Sequence, residues 1–123
     1  MKNLKRTTLT PLEEQLMRYV WQENGGFIRD LRKRYPEPLP PYTSVATLMK
    51  KLEAKNFVSS KRYGNIDEYT PVIQKDDYRK ESTAAIVSNY FENSYKEMVT
   101  FFAQEEKLTE EDLQEIIKLI KKK

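Results

Sequence analysis

Apolar residues recur at helical spacing in several separate stretches of this chain, and at alternating spacing in one. Leu12, Leu16, Met17 and Val20 mark the buried face of a first helix, and Trp21 closes the core near its end. Its start is sharp: Thr10-Pro11-Leu12-Glu13 puts a hydroxyl at the N-cap, proline at N1 and glutamate at N3. Gly25-Gly26 stops it. Phe27 to Arg34 reads as a shorter helix with Ile28, Leu31 and Tyr35 inward. Pro36, Pro38, Pro40 and Pro41 then forbid continuation. A third helix starts between Pro41 and Thr43, its buried stripe set by Val45, Leu48, Met49 and Leu52. Beyond Asn56 the period changes. Phe57 to Arg62, a turn at Tyr63-Gly64-Asn65, and Ile66 to Val72 form a two-stranded ribbon, with Phe57 and Val58 packing beneath it and Ile66 and Tyr69 as their partners across it. From Gln74 the pattern is helical again. Tyr78, Ala85, Ile86, Asn89 and Tyr90 lie on one loosely apolar side, and Ser94 restarts a helix carrying Tyr95, Met98, Val99 and Phe102. Thr109 opens the last helix, with the stripe Leu113, Ile116, Ile117 and Ile120.

The side of the third helix opposite its apolar stripe holds Thr43, Ala46, Thr47 and Lys50, flanked by Lys51, with no acid in its first two turns. Such a helix, followed by a hairpin with Lys61 and Arg62 near its tip, is the plan of a winged helix-turn-helix DNA reader. The expected fold is mainly α with a small β-hairpin: a DNA-binding domain over residues 1–73 and a C-terminal helical dimerisation region over 74–123. Thr43, Ala46 and Thr47 would face base edges, where hydroxyls and methyl groups can act. Arg32, Lys33, Lys50, Lys51, Lys61 and Arg62 would meet phosphates, with Arg29 and Arg34 as further candidates. Met1 to Leu9 reads as a loose basic arm through Lys2, Lys5 and Arg6. The C-terminal stripes Tyr95, Met98, Val99, Phe102, Leu113, Ile116, Ile117 and Ile120 expose more apolar surface than about fifty residues can hide. Either these helices fold back on the winged helix or, the favoured reading, they pair with a second copy of the chain.

Composition narrows the alternatives. The 123 residues suit a small domain with an extension. The net charge of +3 is uneven: the basic excess lies in residues 1–73, and the remainder is mildly acidic. A polyanion partner fits the first part. Cysteine and histidine are both absent, which removes disulfides, thiolate sites and the commonest general base and metal ligand. Asp76-Asp77 and Glu110-Glu111-Asp112 stand where helix starts favour acids. No enzyme activity, metal or cofactor is therefore expected. No apolar run is long enough to span a membrane, so a cytoplasmic protein is expected. The rival reading is a protein-interaction adaptor that keeps a winged helix without using it on DNA, suggested by the acidic, apolar C-terminal half.

Taken in order, several residues also resemble the penicillinase-repressor family of bacteria. They are Leu9-Thr10 with Glu13, Met17 and Trp21, then Thr43-Ser44-Val45 with Thr47-Leu48. Leu52-Glu53 with Lys55, Phe57-Val58, Tyr69-Thr70-Pro71 and the Leu108-Thr109-Glu110-Glu111 helix start follow. The likeness covers nearly the whole length. It implies a homodimeric repressor on a palindromic operator, with an N-terminal DNA reader and C-terminal dimerisation helices. In the best-known members a membrane-bound sensor with metalloprotease activity triggers cleavage of an asparagine–phenylalanine bond in those helices. The corresponding position here is Phe101-Phe102; Phe102 matches and Phe101 departs from the pattern. Copper-responsive relatives use C-terminal cysteines, which this chain lacks.

Overall fold

The computed structural model describes residues 8–122. The chain divides into two compact units, Met1–Tyr78 and Arg79–Lys123. In chain order its elements are α1 (Pro11–Glu23), β1 (Gly26–Phe27), α2 (Ile28–Arg32), α3 (Tyr42–Ala54), β2 (Val58–Tyr63), β3 (Ile66–Pro71), α4 (Lys75–Tyr90), α5 (Tyr95–Gln104) and α6 (Glu110–Lys121). A mainly helical chain with a small antiparallel sheet is a winged helix followed by C-terminal helices.

The first unit is built on α1 and α3. Thr10 and Glu13 close a reciprocal capping box: the Glu13 N–H donates to Thr10 Oγ1 (3.2 Å) and the Thr10 N–H to Glu13 Oε1 (2.8 Å). The buried face of α1 comprises Glu13, Leu16, Met17 and Val20. Leu12 corrects the sequence expectation, for it is 62% exposed. On a 100° wheel the buried face centres between Glu13 and Val20, and Leu12 lies roughly a quarter-turn away. In α3, Val45, Met49 and Leu52 are fully buried, and each contributes about 1.5–3 kcal/mol by leaving water. Leu9 belongs to the same core, so the arm expected over Met1 to Leu9 does not include its last residue. Lys2, Lys5 and Arg6 lie outside the described residues.

The end of α1 sets the sheet. Asn24 is left-handed (φ 55°) and its N–H bonds the Trp21 and Val20 carbonyls. Gly25 follows at φ +100°, and a Cβ there would lie 2.3 Å from the Tyr69 carbonyl oxygen. Gly26 belongs to β1, not to the helix stop, and with Phe27 pairs antiparallel to β3 (Gly26↔Tyr69, Phe27↔Glu68). The sheet is therefore three-stranded, ordered β1-β3-β2, rather than a lone ribbon. Two residues are too few to show alternation, so the sequence pattern placed Phe27 in a helix that begins at Ile28. The hairpin register runs from Val58↔Pro71 to Tyr63↔Ile66, with Gly64 at φ +61° in the turn. Phe57 and Val58 are buried as expected, and so is Tyr69. Tyr69 lies opposite Ser60 and Val58 opposite Pro71, however, so the expected partnership across the ribbon does not form. Ile66 is 47% exposed instead, because its register opposite Tyr63 puts it at the tip, beyond the helical layer.

In the second unit, Ser94 caps α5 by accepting from the Glu97 N–H (3.0 Å), and Thr109 and Asp112 form a capping box at α6. The face expected on α4 is not the buried one: Ala85, Ile86, Asn89 and Tyr90 are exposed and Val87 is buried. The apolar positions of α4 are scattered round its circumference, so no single stripe exists for periodicity to report. Tyr78, at its start, packs in the first unit against Trp21 and Phe57, ring centroids 5.6 Å from each, and donates to Glu14 Oε2 (2.8 Å).

Gly25→Ala is expected to cost at least about 3 kcal/mol, from left-handed strain plus the clash with the β3 backbone; urea unfolding measures it, and a loss under 1 kcal/mol would contradict the close approach. A second expectation concerns acid. Burial opposes the Glu13 charge, but Lys55 and the Thr10 N–H outweigh it and hold the carboxyl below its usual value. Its contribution is present above the unfolded carboxylate range and is lost as pH falls through the lowered folded value. Glu13→Gln should flatten the stability-versus-pH curve below about pH 5, measured by thermal melts from pH 7 to 3.

Candidate nucleic-acid interface

On α3 the burial of Val45, Met49 and Leu52 turns Thr43, Thr47, Lys50 and Lys51 outward to solvent, with Ala46 half-buried between them. Ala46, Thr47, Lys50, Lys51 and Ala54 line one shallow depression. The Thr47 hydroxyl donates to the Thr43 carbonyl (2.9 Å). Its proton is thereby used, and the oxygen lone pairs and the methyl group remain. Such a side chain suits a base-edge amino donor or a thymine methyl.

Three contacts hold this helix in place. At its C-terminal end Lys55 Nζ donates to Glu13 Oε1 (2.6 Å) and to the Thr8 carbonyl (3.0 Å). Glu13 is almost wholly buried and Lys55 largely so. Along its flank the Ser60 hydroxyl donates to Glu53 Oε2 (2.8 Å), tying β2 to α3. Before its first residue, Arg32 Nε donates to the Pro40 carbonyl (2.6 Å), which fixes the proline linker.

The expected phosphate cations differ in availability. Lys33, Lys50 and Lys51 are exposed. Lys61 is exposed beside Tyr63, its Nζ 5.4 Å from the ring centroid. Arg62 is exposed but engages both oxygens of Asp67 (3.2 and 3.3 Å). Arg32, expected to face out, is half-buried because of its bond to Pro40. Arg34 pairs with Glu23, and Arg29 pairs with the adjacent Asp30 at 3.5 Å. Tyr69 lies beneath the hairpin. Burial raises its pKa first, then Asp67, Glu53 and Tyr42, with Arg62 opposing, so its hydroxyl stays protonated at neutral pH.

In the second unit Tyr95, Val99, Phe102, Ile116, Ile117 and Ile120 are exposed, and Met98 and Leu113 are half-buried. The Phe101–Phe102 bond lies inside α5. Both rings are partly exposed and pack on Phe91, at 5.6 and 6.4 Å between centroids. Among the described residues no group of three or more His, Cys, Asp or Glu could hold a metal ion, and no helix is long and apolar enough to cross a membrane.

Sequence reasoning found the outward residues of α3 but missed the Glu13–Lys55 pair. The capping pattern signalled Glu13 as a local cap, and nothing in the spacing links it to Lys55, forty-two residues later.

The family model for penicillinase repressors matches residues 9–122. The chain is similar to the methicillin resistance regulatory protein MecI of Staphylococcus aureus (strain N315), Staphylococcus epidermidis and Mammaliicoccus sciuri. Each is 19% identical over 123 residues, covering 97% of this chain and 98% of the relative.

A lysine on the outward face of α3 and the one at its C-cap should behave differently. Lys50→Ala is expected to weaken binding to any duplex and to reduce the slope of log K against log salt by about one for each chain bound. Lys55→Ala should leave that slope unchanged and cost about 3 kcal/mol of stability, the low end for breaking a buried pair. Fluorescence anisotropy over a salt series and urea unfolding test both, and a slope that falls with Lys55→Ala would contradict the assignment.

Proposed function

Because the chain belongs to the penicillinase repressor family, a family of DNA-binding transcriptional repressors, we propose that it represses as a homodimer on a palindromic operator. Each protomer lays α3 in the major groove. Thr43, Ala46 and Thr47 face base edges. Lys33, Lys50, Lys51 and Lys61 meet phosphates as they stand, Arg32 does so by exchanging Pro40 for phosphate oxygen, and Arg62 does so through its other guanidinium N–H groups while Nη1 stays on Asp67. The observation that carries this reading is the outward face of α3: small, hydroxylated and basic, turned out opposite the buried Val45, Met49 and Leu52. No arginine or asparagine lies there to form bidentate bonds to guanine or adenine. Half-site spacing and DNA shape supply part of the specificity.

The second unit is the dimerisation region. Ile116, Ile117 and Ile120 remain exposed on α6, and a second copy covers them together with Tyr95, Met98, Val99, Phe102 and Leu113. Repression takes place in the cytoplasm and is relieved by proteolysis at Phe101–Phe102, set off by a membrane sensor metalloprotease. A cut there separates α6 and its apolar stripe from the DNA reader. The bond sits in helical backbone, so α5 must unwind locally before a protease can take it as an extended strand.

A gel-shift titration against the promoter beside the protein's own gene tests the reading. Binding is expected to be sharp and salt-sensitive. Thr47→Ala should cost about 1–3 kcal/mol at the cognate site, whereas Lys61→Ala should weaken all sequences alike. Equal binding of the Thr47 variant and wild type would contradict the base contact. No binding at low salt would favour an adaptor.

A further inference from the structure

A cleft of about 410 Å³ lies between the hairpin turn and the start of α3. Three segments wall it: Phe27 and Arg29 from β1 and α2, Tyr42 from the first turn of α3, and Asn65, Ile66 and Asp67 from the turn and β3. Tyr42 immediately precedes Thr43, so the cleft adjoins the outward face of α3. Tyr42 and Ile66 are each about half-exposed at its rim.

Its charge is suited to one kind of occupant. The carboxylate of Asp67 is already matched by Arg62. Arg29 brings a guanidinium whose ion pair, to Asp30, is long at 3.5 Å and exposed on both sides. Surface pairs of that kind contribute little and exchange readily. Tyr42 adds a hydroxyl and Asn65 an amide, both neutral donors. The buried Tyr69 hydroxyl, held protonated, adds no negative charge to the lining.

We propose that this cleft seats one phosphodiester in each half-site of the operator duplex. Arg29 supplies the charge, Tyr42 and Asn65 the neutral hydrogen bonds, and Ile66 packs on the adjoining deoxyribose. The proposal rests on the repressor reading and adds a positioning role to it. A phosphate held at once by α2, α3 and the hairpin turn fixes how far α3 sits along the groove. Thr43 and Thr47 then meet a set pair of base steps. Arg29 gives up Asp30 for two phosphate oxygens, a charge-assisted bidentate exchange.

The test uses the full chain and a duplex carrying the promoter beside its own gene, with anisotropy over a salt series. Arg29→Gln is expected to weaken binding about five- to twentyfold and to lower the salt slope by about two, one for each protomer on the operator. Arg29→Lys should restore the slope without the full affinity, because ammonium lacks the bidentate fork. Tyr42→Phe, which removes only a hydroxyl, should weaken binding about two- to fivefold at unchanged slope. Arg18→Gln, a charge change on α1, should alter neither. Methylphosphonate substitution along the duplex should find one position in each half-site that weakens wild type and leaves Arg29→Gln unaffected. The proposal is overturned if Arg29→Gln keeps wild-type slope and affinity, or if every methylphosphonate costs the two proteins alike. Wild type that binds while these variants behave normally removes the cleft alone; wild type that fails to bind the duplex removes the repressor reading and the cleft with it.

Discussion

The Lys55 ammonium, held by the Glu13 carboxylate and the Thr8 carbonyl, is the contact on which the arrangement of the first unit turns. It joins the C-terminal end of α3 to the N-terminal end of α1. The same carboxylate oxygen also accepts the Thr10 N–H that starts α1. One buried group thus completes a helix cap and anchors the neighbouring helix. Removing either partner leaves an uncompensated charge in a largely dry place, which is the costly way to break such a pair. With α3 anchored at that end and tied to β2 through Ser60 and Glu53 along its flank, its outward face is a rigid surface. Rigid presentation matters because a side chain contacts a base edge only when its backbone is already in register.

The same economy governs the cations. Of the basic residues near α3, some are structural and some are free to meet a partner. Lys55 and Arg32 hold the scaffold, and Arg62 balances Asp67. Lys33, Lys50, Lys51 and Lys61 remain exposed. A count of positive charges would treat these alike, yet only the second group lowers the free energy of a polyanion complex without first giving something up.

The stripe Val45, Leu48, Met49 and Leu52 was legible because helical period is a direct record of burial on one face, and Thr10 with Glu13 announced a helix start for the same local reason. The hairpin was legible from the Gly64 turn. What escaped depended on residues distant in the chain. Phe27 became a strand because β3 lies beside it, and Ile66 lost its burial to a register that put it at the tip. Leu12 lies off a buried face that includes Glu13, whose carboxylate Lys55 makes tolerable there. At the interface, exposure of Thr43, Thr47 and Lys50 followed from periodicity alone, whereas the commitments of Arg32 and Arg62 needed the tertiary partners to be seen. The cleft around Arg29 draws on three segments and has no sequence pattern of its own.

The central claim is that the outward side of α3 meets the bases of a duplex, with two protomers sharing one operator. Amide NMR of the labelled full chain, titrated with the promoter duplex, tests it most directly. The account predicts that the signals of Thr43, Ala46, Thr47 and Lys50 move to new positions and that titration ends at two chains per duplex. Signals on that helix that stay in place while the duplex binds, or an end point of one chain per duplex, would contradict it.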